Sequence, residues 1–153
     1  KPEIIIADEP TTSLDVTVQS QIIDLFNEIT KEFNSSLILI THNMGIISTS
    51  CDSIMVMYGG KIMELGNINE VLNNPLHPYT KGLLETVPNI EESYEELKTI
   101  KGDPLNMINI PSGCVFRTRC PNPSHNCKEG NTVNKVIEKT PNHWVDQCCV
   151  NCI

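Results

Sequence analysis

Ile4-Ile5-Ile6-Ala7-Asp8-Glu9-Pro10-Thr11-Thr12-Ser13-Leu14-Asp15 is the stretch from which the rest of the chain can be read. Ile4 to Ala7 is a short apolar, β-branched run that stops at two acids and a proline. Such a run fits a strand covered on both faces of a parallel sheet. Pro10 to Asp15 is a loop rich in helix-start chemistry, since Thr12, Ser13 and Asp15 can each cap a following helix.

Outward from this loop, Val18, Ile22, Leu25, Phe26, Ile29 and Phe33 form one apolar stripe at helical spacing, predicting a helix over 16–33. Asn34-Ser35 ends it. Leu37 to Ile40 is a second apolar strand, finishing at Thr41-His42. Strand, helix and strand in this order make a parallel crossover unit, whose ligands gather at the carboxyl ends of the strands. Asp8, Glu9 and His42 all sit at such ends.

Adjacent carboxylates at a strand end suit work on a metal-bound phosphate. One can hold a magnesium ion and the other can orient or deprotonate the attacking water, while a histidine on the next strand reaches the terminal phosphate. Read alone, Asp-Glu-Pro is also an ordinary helix-capping turn, and a histidine after a strand is also a structural residue.

Further along, Ser53 to Tyr58 and Lys61 to Leu65 predict two strands joined by Gly59-Gly60. Short helices are expected at 69–73 and 79–86. Residues 88–113 are rich in Pro, Gly, Asn and acids and read as a linker. Residues 114–153 hold six of the seven cysteines, Cys114, Cys120, Cys127, Cys148, Cys149 and Cys152. Clustering at one end points to a local site rather than to the stapling of a small secreted fold. Cys51 reads as a small core residue, and His77, His125 and His143 as structural or solvent-facing. Trp144 is expected to pack over the tail's site.

Composition narrows the classes. The 153 residues are 39% hydrophobic, enough for a core, and carry a net charge of −8. That balance argues against broad binding to nucleic acid or anionic lipid. The longest apolar run, Ile54 to Tyr58, is far short of the ~20 residues of a membrane-spanning helix. The chain begins at Lys1, directly before a strand, and reads as the downstream part of a longer protein.

Three segments together resemble the ATPases of ABC transporters. Residues 4–15 resemble the Walker B motif and D-loop, Leu37-Ile38-Leu39-Ile40-Thr41-His42-Asn43-Met44 the switch-histidine segment, and Gly59 to Gly66 the hairpin that follows. The resemblance implies an α/β fold, the C-terminal part of a P-loop ATPase core over 1–66, with ATP and Mg²⁺ as ligands. It implies that Asp8 helps hold Mg²⁺, that Glu9 polarises water, and that Ser13 and Asp15 form a loop lying across a two-subunit nucleotide sandwich. His42 would contact the γ-phosphate. No G-x-x-x-x-G-K-[ST] loop occurs in the 153 residues, nor a glycine-rich signature or a glutamine loop. Alone, this chain is therefore expected to show no ATPase activity.

Asn74-Pro75-Leu76-His77-Pro78-Tyr79-Thr80-Lys81-Gly82-Leu83-Leu84 is similar to the segment after the core in oligopeptide, dipeptide and nickel importers, which assigns 67–87 to that branch. Pro111-Ser112-Gly113-Cys114 to Cys120-Pro121 resembles the start of the branch's cysteine motif. By that resemblance Cys114, Cys120, Cys127 and Cys148, with Cys149 as the alternative fourth ligand, would bind a [4Fe–4S] cluster. Four thiolates can hold a cluster or a zinc ion, and these spacings, wider than usual zinc knuckles, favour the cluster; disulfides are the third reading, disfavoured in a cytosolic domain. His143 lies five residues before Cys148, a departure from the branch pattern.

The resemblance implies a second ATP-binding subunit, transmembrane permease subunits and an external substrate-binding protein as partners, at the cytoplasmic face of the plasma membrane, with no nucleic acid. Another class stays open beside it, a metal-binding regulatory or interaction module carrying an incomplete ATPase half.

Overall fold

A computed structural model describes residues 1–87, 99–127 and 135–149. The acidic run of the expected linker, and Cys152, lie outside the described residues. The chain divides into two compact units, Lys1–Cys51 and Asp52–Ile153.

In the first unit, β1 (Ile4–Asp8) and β2 (Ser36–Ile40) pair in parallel, with Ile4 opposite Ser36 and Asp8 opposite Ile40. Helix α1 (Val16–Phe33) makes the crossover, and α2 (Met44–Ser50) follows β2. Asp15 caps α1 by accepting from the amides of Thr17 and Val18, and Asn34 ends it in the left-handed region at φ 48°. The helix bounds therefore fall where the stripe and its flanking Asp15 and Asn34 place them. The sheet departs from expectation in one respect. Ala7 is buried and Ile5, Leu37 and Leu39 are half-buried, but Ile4, Ile6, Ile38 and Ile40 on the other face are exposed. The strands are apolar on both faces, and among the described residues only one face is covered. Helix α2 was not legible, because Met44 to Ser50 is rich in Ser, Thr and Gly. Its start is fixed by Asn43, whose side chain accepts from the amides of Gly45 and Ile46.

The second unit is built on a four-stranded antiparallel sheet in the order β3 (Ser53–Tyr58), β4 (Lys61–Asn67), β6 (His143–Asp146), β5 (Val136–Thr140). Gly59 and Gly60 join β3 to β4 at φ 56° and 75°, the positive-φ pair that a two-residue hairpin turn demands. Helices α3 (Ile68–Asn73) and α4 (Pro78–Glu85) come next, α4 starting with Pro78 behind a His77 cap. The hairpin therefore shares a sheet with the tail. A boundary after Gly66, drawn from the sequence, cuts through this unit, because β4 pairs with β6 across Glu64–Val145, Leu65–Trp144 and Gly66–His143.

Met63, Cys114, Val115, Phe116, Cys127 and Cys148 form the core of this unit, with Tyr58, Tyr79, Ile100, Leu105 and Cys120 against it. Phe116 is its centre: the rings of Tyr58 and Tyr79 lie 5.3 Å away and that of His77 5.7 Å. Trp144 is only half-buried and lies on β6 between the buried His143 and Val145, so it faces the other side of the strand. Among the described residues it is Phe116, not Trp144, that packs with Cys114, Cys127 and Cys148.

Candidate active site

The geometry of the first unit begins with a backbone irregularity. β1 ends at Asp8, and Glu9 then adopts φ 47°, a left-handed conformation uncommon for a residue with a Cβ. Its amide still donates to Ile40 O at 2.8 Å, so the turn is locked to the end of β2. The left-handed step breaks strand alternation and swings the Glu9 side chain away from the direction it would have on a continued strand.

Glu9 is met from both sides. His42 Nδ1 lies 2.9 Å from Glu9 Oε1, and the Thr12 hydroxyl donates to Glu9 Oε2 at 2.8 Å. These bonds, from His42 first and Thr12 second, hold the Glu9 carboxyl below the usual carboxylate range. Glu9 is thus ionised at neutral pH and can only accept. The hydrogen toward it sits on His42 Nδ1, leaving Nε2 as the outward nitrogen of the ring. The His42 side chain is 80% exposed, so Nε2 is open to a ligand.

The other expected residues fall as follows. Asp8 is exposed at the strand end, and its carboxyl takes no hydrogen bond from the described residues. A carboxylate not engaged by the described residues can supply one oxygen of the kind a hard divalent cation such as Mg²⁺ takes. Ser13 sits in the loop at φ 65°. Asp15 is engaged as the cap of α1, through Oδ1 to both amides at 3.0 Å. Glu9 and His42 thus meet at the strand ends, Asp8 being the last residue of β1, while Asp15 caps the helix.

Among the described residues no group of three or more His, Cys, Asp or Glu side chains is arranged to hold a metal ion. Cys114, Cys127 and Cys148 pack in the apolar core beside Phe116, and Cys120 lies against it. Cys127 Sγ is 3.2 Å from Ser124 Oγ and 3.9 Å from Cys148 O. Cys149 is buried in the short turn that follows β6. Among the described residues neither the iron–sulfur nor the zinc reading gains support, nor does the metal-binding alternative for the whole chain. Cys51 is half-buried at the C-cap of α2 rather than in a core.

Sequence reasoning missed Glu64. Its carboxyl is fully buried and accepts from the amides of Leu76 at 2.8 Å and His77 at 2.9 Å, while Oε1 lies 2.7 Å from His143 Nε2. The readable signal was an acid between Met63 and Leu65 on a strand, in alternation with Ile62 and Gly66. His77, also fully buried, accepts from Tyr79 N through Nδ1, and burial pushes its pKa down to about 4.

Comparison with known proteins extends this geometry. Residues 63–127 match the family described as the oligopeptide/dipeptide transporter C-terminal region. The oligopeptide transport ATP-binding protein OppD of Salmonella typhimurium is 47% identical over 127 residues, covering 83% of this chain and 38% of that protein. The dipeptide transport ATP-binding protein DppD of Bacillus subtilis is 48% identical over 122 residues, covering 80% of this chain and 36% of its own. OppF of Escherichia coli, another oligopeptide transport ATP-binding protein, is 43% identical over 148 residues, covering 95% of this chain and 43% of OppF. The chain is thus homologous to the ATP-binding proteins of transport systems. Within them it belongs to the oligopeptide/dipeptide family, as a segment that includes the family's C-terminal region. It spans about two fifths of the length of the curated relatives it matches.

Proposed function

We propose that the protein of which these residues form part is the ATP-hydrolysing subunit of an ABC importer for peptides. The observation that carries this reading is the Glu9 carboxylate, ionised and held by His42 and Thr12 directly after the exposed Asp8 at the end of β1. The similarity to oligopeptide and dipeptide transport ATP-binding proteins supplies the cargo class.

In this mechanism Glu9 accepts a proton from the attacking water. The water oxygen bonds to the γ-phosphorus while the bond from that phosphorus to the bridging oxygen breaks, leaving ADP and phosphate. Asp8 would hold Mg²⁺, which when bound neutralises charge on the phosphate oxygens. His42, its Nδ1 tied to Glu9, turns Nε2 toward the γ-phosphate. Ser13 and Asp15 shape the D-loop that meets a second ATP-binding subunit, Asp15 by fixing the start of α1. The two subunits would act on transmembrane permease subunits, fed by an external peptide-binding protein, from the cytoplasmic face of the plasma membrane. No described helix is long and apolar enough to cross a membrane. Residues 1–153 alone, with no phosphate loop in their sequence, would not turn over ATP.

The test is uptake of a labelled oligopeptide by membrane vesicles carrying the full-length protein and its permease. ATP-driven uptake that vanishes in Glu9→Gln is expected. Uptake unchanged by that substitution contradicts the reading.

A further inference from the structure

We infer that Thr12 is a positioning residue for Glu9, holding the carboxylate in line for the water it activates; this rests on the ATPase reading above. Three features make the Thr12 hydroxyl a built anchor rather than a passing contact. Glu9 to Thr12 is a closed turn, with Thr12 N donating to Glu9 O at 3.2 Å, so the hydroxyl that reaches Glu9 Oε2 at 2.8 Å is held by the same turn as its target. The turn is braced from α1: Gln19 Nε2 donates to Thr11 O at 3.2 Å and to Leu14 O at 3.1 Å, fixing the residues on either side. Thr11 itself is buried, which pins the turn beneath.

Division of labour at the carboxylate follows from the two contacts. Thr12 takes Oε2 and His42 takes Oε1, so the carboxylate plane is set by two donors from opposite sides. His42 is a largely exposed side chain carried at the end of another strand, whereas Thr12 lies in the turn that Glu9 itself begins. When the His42 ring adjusts to nucleotide, Thr12 is the contact that keeps the left-handed Glu9 from rotating its side chain out of line. The capping chemistry of this loop, by contrast, is carried by Asp15, so Thr12 is not spent on the helix. A lost positioning contact acts on the chemical step and leaves ground-state nucleotide binding alone.

The experiment measures steady-state ATP hydrolysis by the full-length protein in its transporter, comparing wild type with Thr12→Val, Thr12→Ala and Thr12→Ser. Valine keeps the shape and removes the hydroxyl, alanine removes it without placing a second methyl group in the turn, and serine restores it. The expected result is a kcat lower by ~10-fold in Thr12→Val and Thr12→Ala, with KM for ATP unchanged within about twofold and kcat recovered in Thr12→Ser. A kcat within about twofold of wild type in both hydroxyl-less variants overturns the inference, as does a loss shared by Thr12→Ser or one confined to KM. Glu9→Gln is run beside them. If it hydrolyses ATP as fast as wild type, or the wild type does not hydrolyse ATP, the ATPase reading fails and takes this inference with it. If Glu9→Gln is dead while Thr12→Val and Thr12→Ala stay within about twofold of wild type, the inference fails alone.

Discussion

Replacing Glu64 with Gln should unfasten three parts of the second unit at once. The Glu64 carboxyl accepts three hydrogen bonds with none of its surface in water: two from the amides of Leu76 and His77 ahead of α4, and one from His143 on β6. Gln offers one acceptor oxygen. Placed at the Oε1 position it still serves Leu76 and His143, but its NH₂ then faces the donating amide of His77. Placed the other way it abandons two donors. In the better orientation one buried N–H is left unmet, a loss of about 1–3 kcal/mol. For a unit near 100 residues that is a fall in melting temperature of at least ~4 °C. Trp144 is the only tryptophan in the chain and pairs with Leu65, next to Glu64, so its fluorescence reports the β4–β6 junction during urea unfolding. A double-mutant cycle of Glu64→Ala with His143→Ala, which removes the contact from either side, isolates the pair, and a coupling of about 1–3 kcal/mol is expected. A coupling below ~0.3 kcal/mol, with the Glu64→Gln midpoint unchanged, refutes the claim that this carboxyl ties the tail strand to the hairpin.

His77 predicts a pH dependence. Its folded pKa of about 4 lies below the unfolded value of 6.5, so between these the unfolded chain binds the extra proton. Stability is then full above about pH 6.5 and falls toward pH 4, by about 3 kcal/mol across the window; His77→Asn, which keeps a capping acceptor for Tyr79 N, should flatten that slope in urea melts at stepped pH. Gly59→Ala should destabilise more than Gly60→Ala, because both pay for φ above zero but only the first drives its Cβ into Leu105, whereas the second meets open space. The excess should be about 1 kcal/mol or more by thermal melting. Asp15→Ala should cost about 1 kcal/mol through the lost cap of α1, and Asp15→Asn should recover most of it; equal losses in the two would show that capping is not what Asp15 contributes to stability.

Much of the first unit could be read from the chain because local chemistry and tertiary need agree there. The stripe from Val18 to Phe33, with Asp15 before it and Asn34 after it, leaves one answer for α1, and the apolar runs ending at Asp8 and His42 leave one for the parallel pair. The left-handed turn at Glu9 was not legible, since nothing local requires positive φ at a glutamate. It is imposed by the bond from Glu9 N to Ile40 O and by the donors that meet the side chain.

The second unit was harder for a different reason. β5 and β6 are short, polar stretches, Val-Ile-Glu-Lys-Thr and His-Trp-Val-Asp, whose pairing is set by a strand some 80 residues earlier. A pattern-based reading of 114–153 sees cysteines before it sees strands. Cysteine is also a small apolar residue, and three of the four nominated ligands are used as core beside Phe116. Glu64 and His143 were each visible alone, but only the fold brings them within 2.7 Å.

The most direct test of the account is phosphate release from ATP by the full-length protein, wild type against Glu9→Gln, with ATP binding measured in parallel. The account predicts that Glu9→Gln binds ATP as wild type does and releases phosphate slower by ~100-fold or more, because the group that accepts the water's proton is gone. Release at the wild-type rate, with binding intact, would contradict it.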